Sequence, residues 1–152
     1  MNAVVQIRQA SGADLSRVAG LFDEYRQFYG QASDYPLAEA FLRDRLANHD
    51  SVVFLGVDPR TGGGLGFAQL FPSFSSIAAR RIWILNDLYV ARAARRMGVG
   101  RALLDAARDH ARATGAVYLV LETAVSNREA QSLYESYGFT RDDKFCVYEL
   151  DL

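Results

Sequence analysis

A mixed α/β fold, with a central sheet of six to seven strands flanked by about four helices, is what this 152-residue sequence predicts. Three observations carry that expectation. Apolar runs of strand length alternate with segments whose apolar residues recur every three or four positions, the periods of sheet and helix. The run Arg81–Val90 is apolar on both faces, which marks a central strand covered on both sides. The glycine turn Arg95-Arg96-Met97-Gly98-Val99-Gly100 then hands that strand over to a helix, beginning a βαβ unit expected to be right-handed.

Each element has its own signal. Val4–Arg8 is the expected first strand. Ser11 or Asp14 caps a helix that carries Leu15, Val18, Phe22, Tyr25 and Tyr29 at helical spacing. Pro36 opens a second helix, with Phe41, Leu42 and Leu46 turned inward. Ser51–Val57 is a strand, Asp58–Gly64 a glycine-rich turn, and Leu65–Phe71 the return strand of a hairpin. Pro72–Ala79 is expected as a loop. In the long strand, Ile82, Ile84 and Leu88 share one face while Trp83, Leu85 and Tyr89 share the other. The next helix runs from Val99 to about Arg112, with Arg101, Asp105, Arg108 and Arg112 on its solvated side, and Gly115 ends it. Val117–Glu122 is another buried strand. Ser126-Asn127-Arg128-Glu129 has the capping-box pattern and starts a last helix through Tyr137, stopped by Gly138. Phe145–Leu150 is the closing strand.

Composition narrows the function. Seventeen basic and eighteen acidic residues give a formal charge of −1, which argues against a general nucleic-acid binder. Several of the basic residues crowd into Arg92–Arg101, a pattern of local anion binding. Cys146 is the single cysteine, so there is no disulfide framework and no zinc cluster. Set among Phe145, Val147 and Tyr148, it reads as a buried structural thiol. His49 and His110 lack partners at ligand spacing, and no metal is expected. Met1–Arg8 lacks the apolar core of a signal peptide, and no run approaches the ~20 apolar residues of a membrane helix. The expectation is one cytoplasmic domain over residues 1–152, with neither membrane nor nucleic acid as partner.

Backbone N–H groups at a helix start, with glycines that permit close approach, make an anion site. Arginines beside it add charge-assisted contacts, and a pyrophosphate is the simplest ligand. No Gly-Lys-Ser/Thr follows the glycines, so this is not a Walker-type loop. A dinucleotide fingerprint would need a third glycine, whereas Gly100 is followed by Arg101-Ala102-Leu103.

Arg95-x-x-Gly98-x-Gly100 resembles the Arg/Gln-x-x-Gly-x-Gly/Ala signature of the GNAT superfamily of acyl-CoA N-acyltransferases. The likeness extends to Ile84-Leu85-Asn86-Asp87-Leu88-Tyr89-Val90, to Arg101-Ala102-Leu103-Leu104, and to Asn127-x-x-Ala130-x-x-Leu133-Tyr134-x-x-Tyr137-Gly138-Phe139. The strand residues look most like the branch of small-amine, polyamine and histone-type acetyltransferases. The resemblance implies acetyl-CoA as cosubstrate. Backbone N–H groups of Met97, Gly98, Val99, Gly100, Arg101 and Ala102 would cradle its pyrophosphate, with Arg95, Arg96 and Arg101 supplying side chains. Main-chain groups of Leu88 and Val90 would hold the pantetheine like an added strand, with Tyr89 between them among the cofactor-binding residues, in a slot where this strand parts from the next parallel one. Asn127, beside Ala130, would bond the pantetheine from the far side or else cap its helix.

By the same resemblance Tyr134 is the general acid that protonates the departing thiolate, whose parent thiol has a pKa of about 8.5. The attacking amine, with a pKa of about 10.4 in a lysine-like compound, must also lose a proton. Polyamine-branch relatives often carry a glutamate where this chain has Asn86, and asparagine is no base. Asp87 is next, but the pleat points it to the opposite face unless a bulge re-aims it. Glu122 and Glu24 are the other candidates, and the base stays unassigned. Glu24, Tyr25 and Tyr29, with Asp23 and Phe28 nearby, form a carboxylate and aromatic wall suited to a cationic amine.

The expected function is therefore acetyl transfer from acetyl-CoA to a primary amine by direct attack in a ternary complex. A small-molecule acceptor is preferred. A protein lysine or N-terminus, and an acyl-CoA sensor without turnover, are the alternatives. The resemblance also implies a homodimer, with Phe145–Leu152 either joining the partner or closing its own sheet.

Overall fold

The computed structural model describes residues 5–152, so Val4 lies outside the described residues. The chain forms two compact units, one extending to Leu121 and the other spanning Glu122–Leu152.

The first unit is built on a five-stranded sheet in the order β1-β2-β3-β4-β5. The strands are β1 (Gln6–Gln9), β2 (Val52–Val57), β3 (Gly64–Ser75), β4 (Arg80–Val90) and β5 (Leu119–Val120). The first four pair antiparallel, and β5 joins β4 in parallel. Three helices accompany them: α1 (Leu15–Phe28), α2 (Tyr35–Asn48) and α3 (Val99–Ala113).

α1 and α2 bury Val18, Leu21, Phe22, Ala38 and Leu42 in one core with Val53, Leu55 and Phe67 of the sheet. Each large side chain enclosed this way contributes about 2 kcal/mol. Phe41, though partly exposed, stacks on Phe22. The α1–α2 junction is fastened by Asp23, which accepts the Asp34 N–H at 2.7 Å and the Ser33 hydroxyl at 2.6 Å. Asp34 in turn caps α2 by accepting the Leu37 N–H, with Pro36 in the first turn as expected. His49 closes α2 in the left-handed conformation.

α3 contributes Val99, Leu103, Leu104 and Ala107 to the interior, and His110 packs edge-on against Phe54 and Trp83. Two glycines seat its first turn. A β-carbon on Gly56 or Gly66 would press on Val99 at 3.3 or 3.2 Å, and one on Gly66 would also meet the Tyr89 carbonyl oxygen at 2.6 Å.

Three expectations change in this unit. β3 continues through Pro72 to Ser75 where a loop was expected. Its pairing with β2 stops at Leu70, so beyond that point it is an edge strand beside β4, a setting that tolerates proline. The strand expected over Val117–Glu122 shrinks to Leu119–Val120.

The third change matters most. Gln69 pairs with Asp87 but Leu70 pairs with Leu85, leaving Asn86 as an extra residue on β4. This is a β-bulge, and it switches the alternation of the strand. Trp83, before it, meets His110 of α3 with ring centres 4.9 Å apart. Tyr89, after it, meets Tyr25 of α1 at 6.3 Å. Trp83 and Tyr89 therefore do not share a face.

The second unit contains α4 (Arg128–Tyr137), ended by Gly138 at φ 120°. Its cap is Asn127, whose Oδ1 accepts the Ala130 N–H at 3.1 Å, one position after the expected Ser126. Residues 139–152 form neither helix nor strand. Phe145, Val147, Tyr148 and Leu150 are exposed, and no ladder fixes the closing strand expected over Phe145–Leu150. Among the described residues the sheet thus has five strands, against the six to seven expected. Cys146 is exposed and free, against its reading as a buried thiol.

Candidate active site

β4 pairs with β5 only at Trp83 and Ile84, while its other edge stays paired with β3 as far as Val90. Beyond Ile84, no strand lies on its outer edge among the described residues. That stretch holds Leu88, Tyr89 and Val90, and parallel strands separating at their C-terminal ends form the usual binding crevice of open α/β sheets. A short 3₁₀ turn at Arg92–Ala94 leads from it to the glycine turn.

Arg96 and Gly98 both adopt left-handed backbone, at φ 60° and φ 80°. For arginine this conformation is uncommon and costs on the order of 1–2 kcal/mol. Turns of this kind line up successive N–H groups, and α3 begins immediately after at Val99. The first N–H groups of a helix lack partners within it, so Val99, Gly100 and Arg101 present donors at the positive end of the helix dipole. Ala102 is the first residue to bond back, donating to the Gly98 carbonyl at 3.0 Å. Met97, Arg96 and Arg101 are exposed at this turn.

Arg95 is engaged elsewhere. Its Nε donates to the Val90 carbonyl at 3.2 Å, and its guanidinium lies 5.9 Å from the ring centres of both Phe28 and Tyr89. It braces the turn against α1. The Tyr89 hydroxyl donates to Glu24 at 3.1 Å, extending the link. Burial, then the Glu24 carboxylate, push the Tyr89 hydroxyl above the usual tyrosine range, with Arg95 opposing them.

The same wall carries Tyr25, whose ring touches those of Tyr29 at 5.0 Å and Phe67 at 5.9 Å. Beneath it is Asp87, only 5% exposed, turned toward α1 by the bulge. Its Oδ2 accepts from Gln69 Nε2 at 2.7 Å and its Oδ1 from Asn86 Nδ2 at 3.1 Å, and the Tyr25 hydroxyl donates to it as well. Burial dominates these bonds and holds the Asp87 carboxyl above the ordinary aspartate range. A carboxylate under an aromatic surround suits a cation. Asp23 is committed to the α1–α2 junction and is not part of this wall.

Six candidates of the first unit thus meet: Glu24, Tyr25, Tyr29, Asp87, Tyr89 and Arg95 are joined by bonds or ring contacts, with Asn86 at the bulge. Gln69 was missed. Its sole signal was a polar residue within the apolar run Leu65–Phe71. In the second unit, Asn127, Ala130 and Tyr134 lie three and four residues apart, along one side of α4. The Tyr134 ring rests edge-on against Phe139 at 5.8 Å. Glu122 is exposed at the unit's start.

Comparison with known proteins identifies the family. Residues 18–139 match the model of the acetyltransferase (GNAT) family. The uncharacterized N-acetyltransferase YhfO of Bacillus subtilis (strain 168) is 48% identical over 148 residues, covering 97% of this chain and 98% of that protein. An aminoglycoside N(6')-acetyltransferase type 1 of Klebsiella aerogenes is 34% identical over 102 residues, 66% of each chain. The crystal structure of a probable acetyltransferase superposes with a TM-score of 0.91 at 44% identity, covering 97% of both chains. The chain belongs to the GNAT family and is an acetyl-CoA-dependent N-acetyltransferase.

Proposed function

We propose that the protein transfers the acetyl group of acetyl-CoA to the primary amine of a small molecule, by direct attack within a ternary complex. The observation that carries this reading is the unpaired outer edge of β4, which leads into the glycine turn beside a carboxylate and aromatic wall. Main-chain groups of Leu88 and Val90, on either side of Tyr89, hold the pantetheine, and the N–H groups from Met97 to Arg101 hold the pyrophosphate; the expected cradle loses Ala102, whose N–H is bonded to the Gly98 carbonyl. Arg96 and Arg101 supply its charge-assisted contacts, while Arg95 fixes the turn to the strand. Asn127 offers the pantetheine its amide nitrogen, its oxygen being used to cap α4.

Tyr134 protonates the sulfur as the C–S bond breaks. A phenol suits this step because it stays protonated at neutral pH yet can donate to a thiolate within hydrogen-bond reach. The small-molecule acceptor is supported by Asp87 and Glu24 on a compact aromatic wall, and by the likeness to an aminoglycoside acetyltransferase.

Release of CoA thiol over a panel of polyamines, amino acids, aminoglycosides and lysine peptides tests the reading. Turnover is expected with small amines and not with peptides. Tyr134→Phe should lower kcat about 100-fold while acetyl-CoA affinity stays within a factor of two. Equal turnover in the variant would remove Tyr134 from the mechanism.

A further inference from the structure

Asn86, the extra residue at the β4 bulge, cannot take a proton, yet an attacking ammonium must lose one. The bulge brings the adjacent carboxylate to the α1 face instead. Asp87 is buried there, and its bonded donors, Gln69, Asn86 and Tyr25, are all neutral. Among the described residues no arginine or lysine pairs with it. A buried carboxylate without a cation is costly, and folds keep such groups where they serve chemistry. The cluster also contains a buried acceptor in want of a donor: Gln69 is fully buried and its Oε1 has no hydrogen-bond partner among the described residues. Rotation of that amide would present Oε1 to a protonated Asp87. Tyr25 connects the cluster outward, since its hydroxyl reaches Asp87 and its half-buried ring borders Tyr29 and Tyr89.

We infer that Tyr25 and Asp87 form the proton-accepting pair of the transfer. This rests on the amine-acetylation reading above. An N–H bond of the ammonium breaks as its proton passes to the Tyr25 oxygen, while the Tyr25 O–H proton passes to Asp87. The ammonium and the carboxylate become a neutral amine and a carboxylic acid, and the phenol is neutral before and after. The amine lone pair then attacks the thioester carbon and the C–S bond breaks as the Tyr134 proton passes to sulfur; the second proton lost by the nitrogen restores the Tyr134 phenol, and the proton on Asp87 returns to solvent after product release. The other ionisable groups around the pair are Tyr29 and Glu24 on α1, Tyr89 on β4 and Arg95 from the turn. Glu24 is bonded to the Tyr89 hydroxyl and Arg95 to Val90, which leaves Asp87 as the carboxylate that Tyr25 serves.

The test is kcat/KM against pH for wild type, Asp87→Asn and Tyr25→Phe, with an amine of pKa about 10 as acceptor. If the pair takes the proton, both variants depend on the free amine. Their deficit should then be about 100-fold near pH 7 and shrink to a few-fold near pH 10. A deficit of the same size at every pH in the two variants would mean that they only pack, and would overturn the inference while the acetylation reading stands. Should one variant fail to fold, the other carries the same test. A wild type that releases no CoA with any amine at any pH would overturn the acetylation reading, and this inference with it.

Discussion

Asp87 carries the account at the scale of single residues, because its chemistry depends on which face of β4 it occupies. A carboxyl held above its ordinary pKa by burial binds more protons folded than unfolded, so it lowers stability as pH rises through that interval. Below about pH 4 the carboxyl is protonated in both states and the penalty is absent. The stability of Asp87→Asn, measured by thermal unfolding, should therefore improve relative to wild type between pH 4 and pH 7 even as acetylation falls. A residue kept for structure would show the reverse. Its position was not legible from sequence. Alternation along one strand has a period of two, and the extra residue at Asn86 appears only in the register with β3, where Gln69 meets Asp87 and Leu70 meets Leu85. For the same reason Trp83 and Tyr89 read as neighbours on one face until the partner strand is known. Gln69 escaped because a polar residue in a buried run carries no sign of what it bonds.

At the scale of elements, legibility follows how local the signal is. Gly98, Gly115 and Gly138 all have positive φ and mark helix ends, as their spacing announced. Pro36 and Asp34 open α2 from within four residues of sequence. The last strand failed because a strand requires a partner edge, and nothing in Phe145–Leu150 states which edge that is. The α1–α2 junction shows how one side chain holds an element that walls the acceptor site. Asp23 accepts three side-chain or main-chain donors, and the Ser33 hydroxyl and then the Asp34 N–H hold its carboxyl below the ordinary range. Its stabilisation is accordingly present above about pH 4 and lost as pH falls below it. Asp23→Ala should destabilise the protein by about 2 kcal/mol at pH 7 in urea titration, and by less at pH 3. Loss of the same amount at both values would show that packing, not the carboxylate, fastens the junction.

At the level of the whole molecule, an open strand edge, a glycine turn and a helix N-terminus follow one another along the chain. The family was legible because those parts adjoin in sequence, over Ile84–Leu104, and chain continuity alone places them together. The acceptor wall was only half legible, since Tyr25 lies on α1, far from Asp87 in sequence, and only the β4 bulge turns Asp87 toward it. The electrostatics divide the arginines by task. Arg95 is spent on Val90 and the α1 rings, whereas Arg96 and Arg101 are exposed at the glycine turn, where the proposed pyrophosphate site would use them.

The most direct measurement is calorimetric titration with acetyl-CoA of the wild type, Arg95→Ala and the Arg96→Ala/Arg101→Ala variant. The account predicts micromolar binding by the wild type, at least tenfold weaker when Arg96 and Arg101 are removed, a loss of about 1.4 kcal/mol or more. No binding by the wild type, or binding that the double variant leaves unchanged, would contradict the placement of the cofactor at this turn.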